Sequence, residues 1–264
     1  MNTPVPTTAP PLITCHNAAF SYEGATVVSG LDFTVCTGDY LCVVGENGSG
    51  KSTLIKGILG LKQPSEGTIT YAPTLKHNGI GYLPQQSAAQ RNFPASVFEV
   101  VLSGRLGRKG LLPFFTRHDR TAVAQTLGQL GIANLANSGF GTLSGGQQQR
   151  VLLARALCTA PDGLKALILD EPMNGLDPLI KQELYELIEH LNKQQGIAII
   201  MVTHDVQSAV AYASTILLLD RRQEFFGTSH EFQHTAIGQE LIRDSCGNHC
   251  HICGLAVGER HAHV

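Results

Sequence analysis

Residues 45–53 read Gly45, Glu46, Asn47, Gly48, Ser49, Gly50, Lys51, Ser52, Thr53, a glycine-spaced loop that fits the phosphate-binding pattern G-x-x-x-x-G-K-[ST]. The flanking residues give the match its weight. The apolar run Tyr40 to Val44 leads straight into the loop, and Thr53 to Leu61 has helical spacing. Strand, glycine loop and helix in that order form an arrangement in which successive backbone N–H groups converge on an anion. The following helix adds the positive end of its dipole. In such a loop Lys51 reaches the β- and γ-phosphates of a nucleotide, and the Ser52 hydroxyl ligates magnesium.

Working outward, Leu12 to Tyr22, Val27 to Val35, Gly67 to Tyr71 and Gly79 to Leu83 read as short strands, the last stopped by Pro84. From Gln85 to about Ala160 the texture is helical: Ser96 is a plausible N-cap for Val97 to Ser103, and Arg117 to Leu130 is amphipathic. Strand-like runs return at Ala166 to Leu169, Ile197 to Val202 and Thr215 to Leu219, with a helical segment from Leu179 to Gln195. Continuous apolar strands alternating with helices indicate a parallel sheet covered on both faces, an α/β architecture. Residues 1–11 read as a flexible arm, 12–245 as one domain with a helical insert at about 85–160, and 246–264 as a tail of different composition.

With 264 residues, 43% of them hydrophobic, and a net charge of -2, the chain is long and apolar enough for a substantial core. Nineteen Lys and Arg against 21 Asp and Glu, without a block of one sign, leave no electrostatic footprint for nucleic acid or anionic lipid. The apolar runs fall well short of the ~20 residues a membrane helix needs, and the N-terminus lacks the basic start and apolar core of an export signal. The expectation is a chain that neither spans a membrane nor is exported. Cys15, Cys36, Cys42 and Cys158 are scattered among apolar residues, as reduced, buried thiols would be.

Two further segments carry chemistry. The apolar strand Ala166 to Leu169 delivers Asp170 and Glu171 at its C-terminal edge, where open α/β sheets bind ligands. Asp170 can hold magnesium through water, and Glu171 can polarise the water that attacks a γ-phosphate. Without the phosphate loop, a solvated strand end would explain both carboxylates. Leu143, Ser144, Gly145, Gly146, Gln147 opens a helix running to about Leu157. It offers a second anion cradle, although the first is already complete, so its phosphate would belong to another subunit; as a helix cap it needs no ligand at all.

At these three elements together the chain resembles the ATP-binding-cassette ATPases, over nearly its whole length. Leu143 to Gln147 match the family signature, and the two earlier elements match its Walker motifs. The resemblance implies a phosphate-loop NTPase core with a mainly parallel sheet, an antiparallel β subdomain and a helical subdomain bearing the signature. It also implies that Tyr22 stacks on adenine, that Gln85 links the nucleotide to the transporter and offers magnesium an oxygen, that Asp177 touches the dimer partner, and that His204 senses the γ-phosphate. The partners implied are a second copy, head to tail, with ATP sandwiched between Lys51 of one chain and Ser144 of the other, and two membrane-spanning permease subunits. A substrate-binding protein would take part indirectly, and the ATPase would sit peripherally on the cytoplasmic side of the membrane.

The stretch from Gln85 through Arg91, Asn92, Phe93 and Pro94 to Val101 is similar to the subfamily serving zinc and manganese importers. ATPases of iron-chelate and cobalamin importers share the core motifs, and a metal-sensing module that retains nucleotide binding is a further alternative. A cassette acting on ribosomes or DNA repair would usually carry two cassettes or a long coiled-coil insert, and neither is present. The tail gathers Cys246, His249, Cys250, His251, Cys253, His261 and His263, soft thiolates and imidazoles of the kind zinc prefers. Cys250 and Cys253 have the two-residue spacing of a zinc knuckle, but no second matched pair follows. The alternative is a reduced tail without metal.

Overall fold

A computed structural model of the chain describes residues 9–75, 79–85, 94–108, 114–160 and 163–245. Its centre is a six-stranded sheet built from β3 (Tyr40–Val44), β5 (Ile80–Leu83), β6 (Ala166–Asp170), β7 (Ala198–Val202), β8 (Thr215–Leu219) and β9 (Gln223–Thr228), in the order β5-β6-β7-β3-β8-β9. The first five run parallel, and β9 returns antiparallel to β8. Strands β3, β6 and β7 are buried at every residue, and alternate side chains enter two different cores. Tyr40, Cys42 and Val44 point to one, Leu41 and Val43 to the other. This two-sided burial is why these strands are continuously apolar rather than alternating.

On one face lie α2 (Val97–Ser103), α3 (Arg117–Gln129), α4 (Gly145–Leu157), α5 (Pro178–Gln195) and three further helices, α6 (Val206–Tyr212), α7 (Ser229–His234) and α8 (Ala236–Ser245). On the other lies α1 (Lys51–Ile58), covered by a three-stranded antiparallel sheet of order β2-β1-β4, with β1 at Pro11–Tyr22, β2 at Ala25–Cys36 and β4 at Glu66–Tyr71. The two sheets are tied at β9. Phe226 meets Phe33 with ring centroids 5.9 Å apart, and Gln223 exchanges two hydrogen bonds of 2.9 Å with the backbone of Asp32.

The expected strands are all present with ends shifted by a residue or two, and Ser96 caps α2 in a reciprocal box with Glu99. The helix after the phosphate loop differs more. It runs Lys51–Ile58 instead of Thr53 to Leu61, because Gly50 at φ +104° sets the helical turn immediately before the lysine and Gly60 at φ +70° ends it. The thiols of Cys15, Cys36, Cys42 and Cys158 are buried, and burial pushes that of Cys15 up to about 12.

Helix α1 seats the Phe20 ring of β1 directly against its backbone at Gly57. A methyl group there would lie 2.1 Å from the ring of Phe20, which is completely buried. Gly57→Ala should therefore be destabilising, by about 1–3 kcal/mol of overpacking set against about 1 kcal/mol of improved helix propensity. Thermal denaturation should show a midpoint lower by a few degrees. An unchanged or higher midpoint would mean that the Phe20 ring yields without cost.

Candidate functional site

Four neighbouring parallel strands, β5, β6, β7 and β3, end at the same edge of the sheet. The residues that follow them are Gln85, Glu171, His204 and the loop of Gly45. This edge holds an open cleft of about 320 Å³. Asn47, Gly48, Gly50, Lys51, Ser52 and Thr53 line it from the loop side, facing Gln85, Asp170, Glu171 and His204. Sequence reasoning assembled this group from separate segments, and the fold brings it to one place. Val27 and Asn174 also line the cleft and were missed. Asn174 lies between Glu171 and Asp177, and its amide donates to the Glu171 carbonyl at 3.3 Å; its place in that segment was the only signal.

The loop is shaped from behind. Gly45 adopts φ +152°, and a Cβ on it would lie 2.2 Å from the Leu219 carbonyl oxygen at the end of β8. In the turn between β8 and β9 the Arg221 amide donates to the Ser49 carbonyl at 3.1 Å, while the Arg221 carbonyl accepts from the Ser29 amide at 3.0 Å. Lys51 curls back over the loop, its Nζ donating to the carbonyls of Gly45 and Glu46, both at 2.7 Å. Burial lowers the Lys51 pKa, and Glu171, Asp170 and Glu46 oppose that by favouring the ammonium.

Asp170 is 7% exposed. Burial raises its pKa, and the Tyr82 hydroxyl and the Lys51 charge offset part of the rise. Glu171 has φ +49°, a left-handed backbone that a non-glycine residue adopts at a cost of about 1–2 kcal/mol. Its amide is held there by the Val202 carbonyl at 3.0 Å, and its Oε2 lies 2.9 Å from Nδ1 of His204. His204 is exposed and Glu171 largely enclosed, and both line the open cleft.

Magnesium commonly takes one or two carboxylates, other oxygen donors and the substrate's own phosphates. One buried carboxylate at Asp170, the exposed hydroxyl of Ser52 and the amide oxygen of Gln85 suit it in charge and donor type. Bound there, it would neutralise charge on the phosphates.

The remaining expected residues lie elsewhere. Tyr22 ends β1, and its half-exposed ring carries the Lys62 ammonium 3.7 Å from its centroid; it is not among the residues lining the cleft. Ser144 caps α4, its hydroxyl accepting from the Gln147 amide while the Gln147 side chain accepts from the Ser144 amide. Gly145 is exposed, and Gly146 packs so closely on α5 that a Cβ would meet Ile180 at 2.6 Å. Asp177 caps α5 through a 3.1 Å hydrogen bond from Ile180 N–H. Ser144, Gly145 and Asp177 are thus solvent-facing at the starts of two packed helices, apart from the lysine cleft. Gln86, Arg91, Asn92 and Phe93, and the tail residues Cys246, His249, Cys250, His251, Cys253, His261 and His263, lie outside the described residues.

Residues 28–174 match the family model for the ABC transporter. The chain belongs to this family. It is an ABC ATPase subunit. It is 35% identical over 236 residues to a zinc uptake system ATP-binding protein, ZurA of Listeria innocua, covering 87% of this chain and 91% of that one. It is 39% identical over 214 residues to a manganese transport system ATP-binding protein, MntB of Bacillus subtilis, covering 80% and 84%. Among solved structures, cbiO1 of Clostridium perfringens, part of the ABC transporter complex cbiONQ, superposes with a TM-score of 0.73 at 29% identity, covering 89% of this chain and 94% of that one. Among the described residues no helix of this ABC subunit is long and apolar enough to cross a membrane.

Proposed function

We propose that this chain hydrolyses ATP to drive import of a divalent metal ion, zinc or manganese, through separate membrane-spanning permease subunits. The observation that carries the mechanism is the division of the functional residues between two surfaces. Lys51, Ser52, Gln85, Asp170, Glu171 and His204 share the cleft, whereas Ser144, Gly145 and Asp177 are exposed outside it. A signature that does not reach its own chain's phosphates can serve those of a second copy. Two chains arranged head to tail would close two ATP sites, each with Lys51 from one protomer and the N-terminus of α4 from the other. The metal cargo is supported by the zinc and manganese systems named for its relatives.

In this reading Lys51 and the loop amides hold the β- and γ-phosphates, while Ser52, Gln85 and Asp170 would hold magnesium. The strained backbone of Glu171 aims its carboxylate at the position of an attacking water, from which it withdraws a proton. His204, bonded to that carboxylate, keeps it oriented beside the γ-phosphate. Tyr22 supplies a flat face for adenine. Hydrolysis removes the γ-phosphate bridge, and the two chains separate, a displacement passed to the permeases on the cytoplasmic side of the membrane. The cysteines and histidines of the tail, Cys246 to His263, supply a zinc site that adjusts this cycle.

One experiment addresses dimer and tail together: ATP turnover of the purified chain against its own concentration, with excess magnesium, with and without micromolar zinc. Turnover per chain should rise with concentration. Zinc should alter it in the full chain and not in a chain ended after Ser245. Turnover independent of concentration would remove the shared site, and an equal zinc response after truncation would place the zinc site elsewhere.

A further inference from the structure

Strand β5 brings a second polar residue to the nucleotide site. The Tyr82 hydroxyl lies 3.4 Å from Oδ2 of Asp170. The two strands pair in parallel with Tyr82 beside Ile168, so Asp170, two residues on, presents its side chain on the same face as Ile168 and nearer the cleft. The Tyr82 ring packs against the core cluster that contains Ile168, Ile200 and Val202, which fixes where its hydroxyl can reach. Lys51, the nearby cation, spends its ammonium on the carbonyls of Gly45 and Glu46. Among the described residues, Tyr82 is the side chain that donates to this buried carboxylate.

We propose that Tyr82 is a positioning residue for the metal-binding carboxylate. Its hydroxyl holds one oxygen of Asp170 and so sets the plane in which the other meets magnesium or a magnesium-bound water. Partners of this kind orient metal-binding side chains, and their removal typically weakens the metal by 10–100-fold. The 3.4 Å separation is long for a hydroxyl on a carboxylate, as bonds within a catalytic site often are before the substrate is in place. Tyr82 lies three residues before Gln85, so the segment of β5 and the residues just after it would serve the metal twice, once through a ligand at Gln85 and once through the orientation of a ligand on the neighbouring strand. This rests on the reading of Asp170 as a magnesium-binding residue.

The test is Tyr82→Phe in the full chain, which keeps the packed ring and removes one oxygen. Nucleotide binding is measured calorimetrically with ATP in EDTA and again at saturating magnesium, and the gain due to the metal is the readout. Metal-free ATP should bind the variant within about twofold of the parent, while the gain from magnesium falls by about tenfold. In an Asp170→Asn background the same change should have no further effect, since its route to the metal is gone. An undiminished gain, an equal loss of metal-free binding, or a variant that no longer folds would each overturn the proposal, leaving Tyr82 a packing residue. If the parent itself gained nothing from magnesium, the assignment of Asp170 would fail first.

Discussion

Glu171→Gln should reduce ATP turnover by about 10²–10⁴-fold while MgATP still binds. The substitution keeps shape and hydrogen-bonding length and removes the basic oxygen pair. The left-handed backbone at residue 171, held by Val202, and the neighbouring His204 remain to orient the amide. Lys51, Ser52 and Asp170 are untouched, so the nucleotide stays. Because closure of two chains would be reversed only when the γ-phosphate is lost, the variant should accumulate as an ATP-loaded dimer. Single-turnover hydrolysis measured alongside size-exclusion chromatography in MgATP checks both halves. Turnover equal to the parent would take the proton-accepting role away from Glu171. A slow variant that stayed monomeric would keep the base and remove the sandwich.

Lys51→Ala should weaken MgATP binding by about 10²-fold, the equivalent of one or two hydrogen bonds from a charged donor at 1.5–3 kcal/mol each. The loss has two sources. The ammonium sits at the mouth of the loop, where burial depresses its pKa but Glu171, Asp170 and Glu46 support its charge. It also laces the loop together through Gly45 and Glu46, so its removal leaves two carbonyls to water and the anion cradle less preorganised. Adenosine, which has no phosphate, should bind the variant and the parent equally. Calorimetric titration with MgATP and with adenosine separates the two, and MgATP affinity equal to that of the parent would contradict the phosphate-loop assignment.

Most of the cleft was legible because its residues are bound to local patterns: glycines at fixed spacing before Lys51, and carboxylates at the end of the apolar run 166–169. Burial on both faces made the parallel strands conspicuous. Strand β9 was not legible, since Gln223–Thr228 lies at the sheet edge with Phe225 and Phe226 directed to opposite cores and Glu224 facing solvent, which leaves little alternation to detect. Helices α6, α7 and α8 are short, and their stability comes from packing on the core more than from propensity. The strain at Glu171 and the approach of Tyr82 to Asp170 depend on the pairing of strands far apart in sequence, and one-dimensional spacing carries neither.

The central position of β3 also governs when the protein can begin to work. As the chain leaves the ribosome, Tyr40–Val44 emerges early, yet the strands on either side of it, Ala198–Val202 and Thr215–Leu219, come last among the parallel strands. The Arg221 amide that steadies Ser49 arrives later still. Nascent chains shorter than this must keep an apolar strand unpaired, a condition that favours aggregation and chaperone capture. The glycine loop before Lys51 therefore takes its final support only after the turn between β8 and β9 has been made, long after the loop itself.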